Sequence, residues 1–205
     1  MNIHCVGISH HTAPIGIREK LWFPAAEIPA VLASLRETSM AEAVLVSTCN
    51  RTELYYVPRE GSPNGTPLWR LLARFRNAEE ALAEEHFTHL SSVNAVQHAF
   101  KVASGIDSMV LGDVQILSQM KEAFTLAQER QSTGIFMNRL FETAFRVGKR
   151  ARTETEIGEG AVSISYAAAE LATKIFDDLS RRTALLIGAG ETGNATHCFI
   201  SALEN

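Results

Sequence analysis

The residues best suited to covalent chemistry form one short segment, Ser47-Thr-Cys-Asn-Arg-Thr52. Cys49 offers a thiol, and Arg51 places a positive charge beside it, which favours the reactive thiolate. Arg51 could also bind a substrate carboxylate through two hydrogen bonds. The segment therefore predicts a cysteine nucleophile. A small residue buried at a strand end is the other interpretation, which the polar neighbours from Asn50 to Glu53 fit poorly.

His98 is a second candidate, in a helix predicted over Ser92–Ser104. The apolar stripe of this helix consists of Val93, Val96, Phe100 and Ala103. At about 100° per residue, His98 falls nearly opposite that stripe. This position predicts an exposed histidine rather than one in the core. The functional alternative is a general acid–base, or a group that polarises a carbonyl.

The run from Ser104 to Gln115 combines glycines, carboxylates and small polar groups just before a long predicted helix. Asp113 is suited to capping this helix, with Gln115 in its first turn. A loop that lines a polar ligand is the alternative interpretation.

A basic stripe, formed by Arg139, Arg146, Lys149 and Arg150, is predicted on one helix, with Glu142 the one interleaved carboxylate. The three arginines fall within about 40° of one another. Such a stripe could contact a phosphate backbone, although a solvated helix face is the ordinary interpretation of a charge run. Because the net charge is −4, any contact with nucleic acid must be local.

The segment from Gly188 to Gly193 has the pattern Gly-x-Gly-x-x-Gly, after an apolar strand predicted over Thr183–Ile187. Its glycines would let the backbone approach a pyrophosphate at a helix N-terminus. The residue that selects NAD or NADP normally lies ~20 positions further on, beyond Asn205.

The elements that must position these residues differ along the chain. Strands are predicted over Asn2–Ser9, Ala43–Thr48 and Glu53–Val57, which places Cys49 in a short connection between two strands. An exposed loop is predicted for Pro58–Pro67. Helices are predicted over Pro24–Thr38, Leu68–Asn77, Glu79–Phe87, Ser92–Ser104, Gly112–Gln131, Ile135–Thr155 and Val162–Leu179.

The expected fold class is α+β, a small sheet with helices followed by a truncated Rossmann-like α/β unit. A composition shift near Gly158 divides the chain into a catalytic domain, residues 1–157, and the start of a nucleotide-binding domain, residues 158–205. The second part is too short for a complete domain, because one βαβ unit alone takes ~30 residues.

Cysteine usage indicates a reducing compartment, since Cys5, Cys49 and Cys198 are odd in number and widely spaced. The histidine pair at 10 and 11, taken with Cys49 and His98, matches no standard zinc spacing, so no metal site is predicted. The N-terminus lacks a secretory signal and the apolar runs are too short to cross a bilayer. A cytoplasmic protein without membrane contact is expected.

Together these segments resemble the glutamyl-tRNA reductase family in order along nearly the whole chain. The matching segments are Gly7–Thr12, Ser47–Glu53, His98, Val102–Gly112, Gln115–Leu117 with Gln119, Ala144–Arg150, Gly160–Tyr166 and Ile187–Gly193. The resemblance implies that a cysteine attacks the ester of glutamyl-tRNA to give a thioester. NADPH then reduces the thioester to glutamate-1-semialdehyde, the first step of the five-carbon route to tetrapyrroles.

The resemblance also implies residue roles, with Cys49 the nucleophile and His98 a histidine important for activity. The implied substrate-binding residues are Thr48, Asn50, Arg51, Ser108, Asp113, Val114, Gln115 and Gln119. The implied NADPH-binding residues are Gly188, Ala189, Gly190, Glu191, Thr192 and Gly193. The implied partners are glutamyl-tRNA(Glu), the aminomutase that takes the semialdehyde, and a second copy bound through a C-terminal domain absent from this sequence.

Three positions depart from the family pattern: Asp113 replaces a common glutamate, Val114 a proline or threonine, and Ser118 a frequent glycine. The chain is expected to retain acyl transfer to the thiol but not to hold NADPH productively. Two other classes remain open. One is a cysteine-dependent oxidoreductase of free aldehydes or acyl-CoA, and the other is a module that only binds tRNA or a protein.

Overall fold

The computed structural model describes residues 3–61 and 67–158, together with 171–176, 182, 183 and 185. This part of the chain is α+β, a small antiparallel sheet with helices, which confirms the class predicted for the first domain. The elements in chain order are β1 (His4–Ser9), α1 (Ile15–Arg18), α2 (Ile28–Thr38), β2 (Met40–Ser47), β3 (Arg51–Pro58), α3 (Leu68–Phe75), β4 (Thr88–Ser91), α4 (Val93–Ala103), α5 (Gln115–Glu129) and α6 (Ile135–Glu154).

The strands form one sheet in the order β2-β3-β1-β4, and all neighbouring strands are antiparallel. β2 and β3 make a hairpin, so the turn between them carries Cys49. β1 and most of β3 are buried along their length, because both faces of the sheet are covered. Strand residues two apart share a face, which places Arg51, Glu53 and Tyr55 on one side of β3.

The helices pack around this sheet and join it through aromatic side chains. α2 and α5 contact β2, whereas α4 and α6 contact each other and α6 also reaches β2 and β3. The Tyr55 ring meets the Phe141 ring edge-on at 5.5 Å, and Phe141 stacks on Phe124 at 5.3 Å. This aromatic chain fixes α5 and α6 against the face of β3 that carries Glu53.

A carboxylate from the sheet caps the N-terminus of α6. Glu42 is 8% exposed, and its carboxylate accepts from the N–H groups of Gly134 at 3.0 Å, Phe136 at 3.3 Å and Met137 at 2.7 Å. The first N–H groups of a helix have no partner within the helix, and the helix dipole favours negative charge there. Glu42 therefore fixes where α6 begins.

The strands predicted over Asn2–Ser9, Ala43–Thr48 and Glu53–Val57 are confirmed as β1, β2 and β3. Most predicted helices are confirmed with shifted ends. The helix expected from Pro24 begins at Ile28, and the one expected from Gly112 begins at Gln115.

The helix predicted over Glu79–Phe87 is wrong. This stretch forms turns and a short 3₁₀ helix at Glu84–His86, and it leads into the unpredicted strand β4. β4 pairs with β1 alone, with Leu90 opposite Cys5. The four residues of β4 show no sequence pattern typical of a strand. The strand forms because it pairs with β1, which lies far away in the sequence.

Residues 171–175 are helical, within the helix predicted over Val162–Leu179. Most of the predicted strand over Thr183–Ile187 and the whole glycine motif at 188–193 lie outside the described residues. Among the described residues, none of the helices combines the length and the apolar character needed to cross a membrane.

Substitution of Glu42 by Gln is expected to destabilise the chain by about 1–3 kcal/mol, because the amide presents a donor to N–H groups that need an acceptor. Urea unfolding measures this loss. Glu37→Gln, at an exposed position of α2, is the matched control and should stay within about 0.5 kcal/mol of the parent. Equal stability of the two variants would contradict the capping role.

Candidate active site

Cys49 is exposed at the tip of the β2–β3 hairpin. Thr48 holds this turn, since its hydroxyl accepts from the N–H groups of Asn50 and Arg51, both at 3.2 Å. The N–H of Thr48 also donates to the Arg51 carbonyl at 2.8 Å, and the Asn50 carbonyl accepts from the His10 N–H at 3.1 Å. The thiol is thus presented on a turn whose backbone groups are satisfied.

A narrow cleft lies beside the thiol, between the hairpin turn and the start of α5. Its lining consists of Thr48, Cys49, Asn50, Arg51, Ser108, Met109, Asp113, Gln115, Ile116 and Gln119. The structure therefore brings together every predicted substrate-binding residue except Val114, whose side chain is 44% exposed. Hydroxyl, amide and carboxylate groups surround one thiol, which suits a small polar acyl group.

The loop before α5 is held from two directions. The Asp113 carboxylate accepts from the N–H of Gln115, the first residue of α5, at 2.8 Å, although the N-cap position itself is occupied by Val114 and not by Asp113. Arg152 of α6 donates to the carbonyls of Asp113 and Val114, each at 3.0 Å. α6 thus fixes the loop that forms one wall of the cleft.

Behind the cleft, the buried carboxylate of Glu53 joins three side chains. Its Oε1 lies 2.9 Å from both Arg51 Nη1 and His98 Nε2. Its Oε2 accepts from the Tyr55 hydroxyl at 2.8 Å. Glu53 is 3% exposed, so this carboxylate depends on its partners for the interactions that water would otherwise provide.

These partners keep Glu53 ionised. Burial alone would raise its pKa, but the charge of Arg51 and the hydrogen bonds from His98 and Tyr55 bring the pKa down to about 2. The carboxylate acts in turn on His98: burial would lower the pKa of the imidazole, but the hydrogen bond and charge of Glu53 raise it above its ordinary value. Glu53 and protonated His98 therefore stabilise each other.

The backbone of β1 leaves room for Glu53. Gly7 lies opposite Glu53 in the β1–β3 register. A Cβ at Gly7 would lie 2.6 Å from Glu53 Cγ and 2.7 Å from the Thr52 carbonyl, which is too close for a real contact. Only glycine fits here without moving Glu53.

The Arg51 guanidinium is buried and already paired with two carboxylates of the protein, which the sequence did not indicate. Its side chain is 1% exposed, and Nη1 lies 3.0 Å from Asp107 Oδ2 as well as 2.9 Å from Glu53. Nη2 donates to the Asp107 carbonyl. A substrate carboxylate that binds Nη1, as predicted, has to displace Glu53 or Asp107, whereas Nε has no hydrogen-bond partner among the described residues.

The prediction that His98 lies opposite an apolar face and is exposed is wrong. The buried face of α4 is instead formed by Ala95, Ala99, Val102 and Ala103. His98 is adjacent to this face, its side chain is 17% exposed, and it lines a separate cavity of about 320 Å³ with His11, Lys101 and Asp107. The predicted stripe contained Ala103 but omitted Ala95, Ala99 and Val102, and it was drawn toward Val93, which is 62% exposed.

Cys5, Glu53 and His98 place one ligand-type atom each within 4.8 Å of one another. The group is poorly suited to a metal ion, because Arg51 already occupies Glu53. Burial also raises the pKa of the Cys5 thiol well above its ordinary value, whereas a metal needs the thiolate. Hydrogen bonding accounts for this cluster of side chains.

Sequence reasoning assigned no role to Glu53 and Asp107. The signal for Glu53 was present, since Arg51, Glu53 and Tyr55 alternate along one strand and must share a face. No comparable local signal exists for Asp107, which meets Arg51 across a long separation in the chain.

Comparison with known proteins identifies the family to which the chain belongs. A family model described as the N-terminal domain of glutamyl-tRNAGlu reductase matches residues 6–155. The chain belongs to the glutamyl-tRNA reductase family. It is 48% identical over 208 residues to the glutamyl-tRNA reductase of Chlorobium phaeobacteroides (strain BS1), and the match covers 100% of this chain and 49% of that protein. The reductase of Pelodictyon phaeoclathratiforme gives the same identity and coverage.

A solved structure supports the same family. Glutamyl-tRNA reductase from Methanopyrus kandleri superposes with a TM-score of 0.67 at 32% sequence identity, and the match covers 98% of this chain and 47% of that one. This chain therefore spans about half the length of the reductases it matches.

The pair of His98 and Glu53 should make stability pH-dependent. A histidine whose pKa is raised in the folded state adds stability that is fully present below its unfolded pKa of about 6.5 and declines as the pH rises through the folded value. His98→Asn should therefore cost about 1–3 kcal/mol at pH 6 and less at pH 9, as measured by urea unfolding. His89→Asn, on the exposed side of β4, is the control, and a cost for His98→Asn that is independent of pH would rule out the charged pair.

Proposed function

We propose that this chain is the part of a glutamyl-tRNA reductase that binds glutamyl-tRNA(Glu) and takes the glutamyl group onto Cys49. The observation that carries the proposal is the exposed thiol on a held turn, at the mouth of a cleft lined by polar groups from two segments far apart in the sequence, 48–51 and 108–119. Such a site can hold a small polar acyl group against a nucleophile.

The chemical step is an acyl transfer from oxygen to sulfur. The Cys49 thiolate attacks the ester carbonyl, the C–O bond to the terminal ribose breaks, and the proton lost by the thiol ends on the ribose hydroxyl. Ser108, Asn50 and Gln119 provide hydrogen bonds to the glutamyl group from the cleft walls. In the described conformation the cleft encloses only about 20 Å³, so the bound group has to displace a wall, and Met109, which is 50% exposed, can move most easily.

Arg51, Glu53 and His98 form the layer behind the nucleophile. Arg51 provides a positive charge under the cleft, Glu53 fixes its position, and His98 fixes Glu53. In this proposal His98 is a positioning residue, since it lines a cavity different from that of Cys49. Direct proton transfer from His98 to the substrate, the role suggested by its residue type, would require a rearrangement of this layer.

Completion of the reaction belongs to the whole protein. NADPH supplies the hydride that converts the thioester to glutamate-1-semialdehyde, and its proposed phosphate-binding residues, 188–193, lie outside the described part of the chain. The cytoplasmic location, the homodimer and the contact with the aminomutase are further proposals that rest on the family resemblance.

The basic stripe favours a tRNA substrate over a free aldehyde or acyl-CoA. Arg139, Arg146, Lys149 and Arg150 are all exposed on α6. Arg150 is paired with Glu154 at 2.9 Å, whereas Arg146 contacts only the hydroxyl of Thr143 among the described residues. We therefore place the main phosphate contacts at Arg139, Arg146 and Lys149.

The nucleophile is tested by intact-protein and peptide mass spectrometry after brief incubation with glutamyl-tRNA in the absence of NADPH. A glutamyl adduct labile to hydroxylamine is expected on Cys49. Cys49→Ser should lose the thioester, while Cys5→Ala, which removes a buried thiol, should keep it. An adduct that survives Cys49→Ser, or its absence from folded parent protein, would overturn the proposal.

The stripe is tested by charge reversal. Arg146→Glu combined with Lys149→Glu should weaken tRNA binding and lower the slope of log K against log salt by about one per lost phosphate contact. Arg70→Glu, on the exposed side of α3, is the control that changes charge elsewhere. Equal effects of the stripe and control variants would mean that general charge, and not α6, attracts the tRNA.

A further inference from the structure

A second and much larger cavity meets the cleft at the thiol. Its volume is about 730 Å³, against about 20 Å³ for the cleft. Thr48, Cys49 and Gln119 line both spaces, so the thiol lies where the two meet. One wall of the larger cavity is formed by Trp22, Phe23, Ala25 and Ile28, and the opposite wall is formed by α5.

The electrophile of this acyl transfer is an ester, in which two groups, here called arms, are joined at the carbonyl carbon. The acyl arm is a glutamyl group, and the other arm is the nucleoside that leaves. Because both cavities meet at Cys49, a carbonyl placed at its sulfur can send the acyl arm into the narrow cleft and the nucleoside into the larger cavity. This correspondence rests on the proposed function.

Trp22 gives the larger cavity a surface for a nucleobase. Its side chain is 44% exposed, whereas the adjacent Phe23 is 1% exposed. The Phe23 N–H donates to the Ser47 hydroxyl at 2.9 Å, which ties this segment to the end of β2, two residues before the thiol. Bases at RNA ends are commonly recognised by stacking on such aromatic side chains.

The charges around the cavity favour a nucleoside over a dinucleotide. Glu122 and Glu129 line it together with a single cation, Lys121. Two carboxylates disfavour the several phosphates of NADPH, whereas the terminal adenosine of a tRNA brings an uncharged base and ribose with a single phosphodiester at its 5′ end.

We propose that the cavity beneath Trp22 is the subsite for the 3′-terminal adenosine of the aminoacyl-tRNA, with Trp22 stacking on the base. The subsite positions the ester and accepts the departing nucleoside, so it acts on the leaving group and not on the glutamyl group.

The test compares two glutamyl esters that share the acyl arm, 3′-O-glutamyl-adenosine and glutamyl ethyl ester, as acyl donors to Cys49. Trp22→Ala should slow transfer from the adenosine ester about tenfold, as expected for one stacked base, and leave the ethyl ester unchanged. Trp22→Phe should restore most of the rate. Phe136→Ala, an aromatic residue 45% exposed in the first turn of α6, is the control. Equal slowing of both esters, or of neither, would overturn the proposal.

A binding measurement separates this proposal from the proposed function. Adenosine should quench the fluorescence of Trp22, because the second tryptophan, Trp69, is buried at 6% exposure, and Trp22→Phe should abolish the quenching. If quenching occurs but glutamyl-tRNA leaves Cys49 unmodified, the proposed function fails and the subsite stands. If adenosine has no effect, or if Trp22→Ala raises the KM for NADPH of the full-length enzyme without changing acyl transfer, the adenosine subsite is wrong.

Discussion

The ionised carboxylate of Glu53 is the interaction on which the site depends. It lies inside the protein and accepts from Arg51, His98 and Tyr55, so it joins strand β3 to α4 and, through Arg51, to Asp107 in the loop before α5. Removal of Arg51, the cation paired with it, would leave a buried charge without its ion-pair partner, which commonly costs about 3–5 kcal/mol. The shape of the cleft beside Cys49 therefore depends on this network of charged side chains, of which Arg51 also lines the cleft.

This network of charged side chains also helps to explain how a turn that exposes a thiol is held in place on a small sheet. On one side of the cleft, backbone N–H groups of the hairpin turn donate to the Thr48 hydroxyl. On the other side, the loop before α5 is held by Arg152 of α6 and by the pairing of Asp107 with Arg51. Each wall is thus fixed from behind, while the side chains that face the cleft, such as Met109, stay partly exposed.

Much of this arrangement could be predicted from the sequence where the signal was local. The apolar runs predicted β1, β2 and β3, and the Ser47–Glu53 segment placed Cys49 between two strands. β4 was missed because an edge strand of four residues is fixed by pairing with β1. His98 was assigned to the wrong face because alanines formed the buried side of α4, and the contact between Arg51 and Asp107 depends on the tertiary fold alone.

The two cysteines of the described chain show how one sheet separates a buried thiol from an exposed one. Cys5 lies in the middle of β1, opposite Tyr55. Burial, together with the nearby charge of Glu53, raises its pKa far above the ordinary value, so it remains a thiol. Cys49 lies beyond the end of β2, where the sheet no longer covers it and two cavities open to it. The difference in exposure between the two thiols thus follows from strand length, because β2 ends at Ser47, two residues before Cys49.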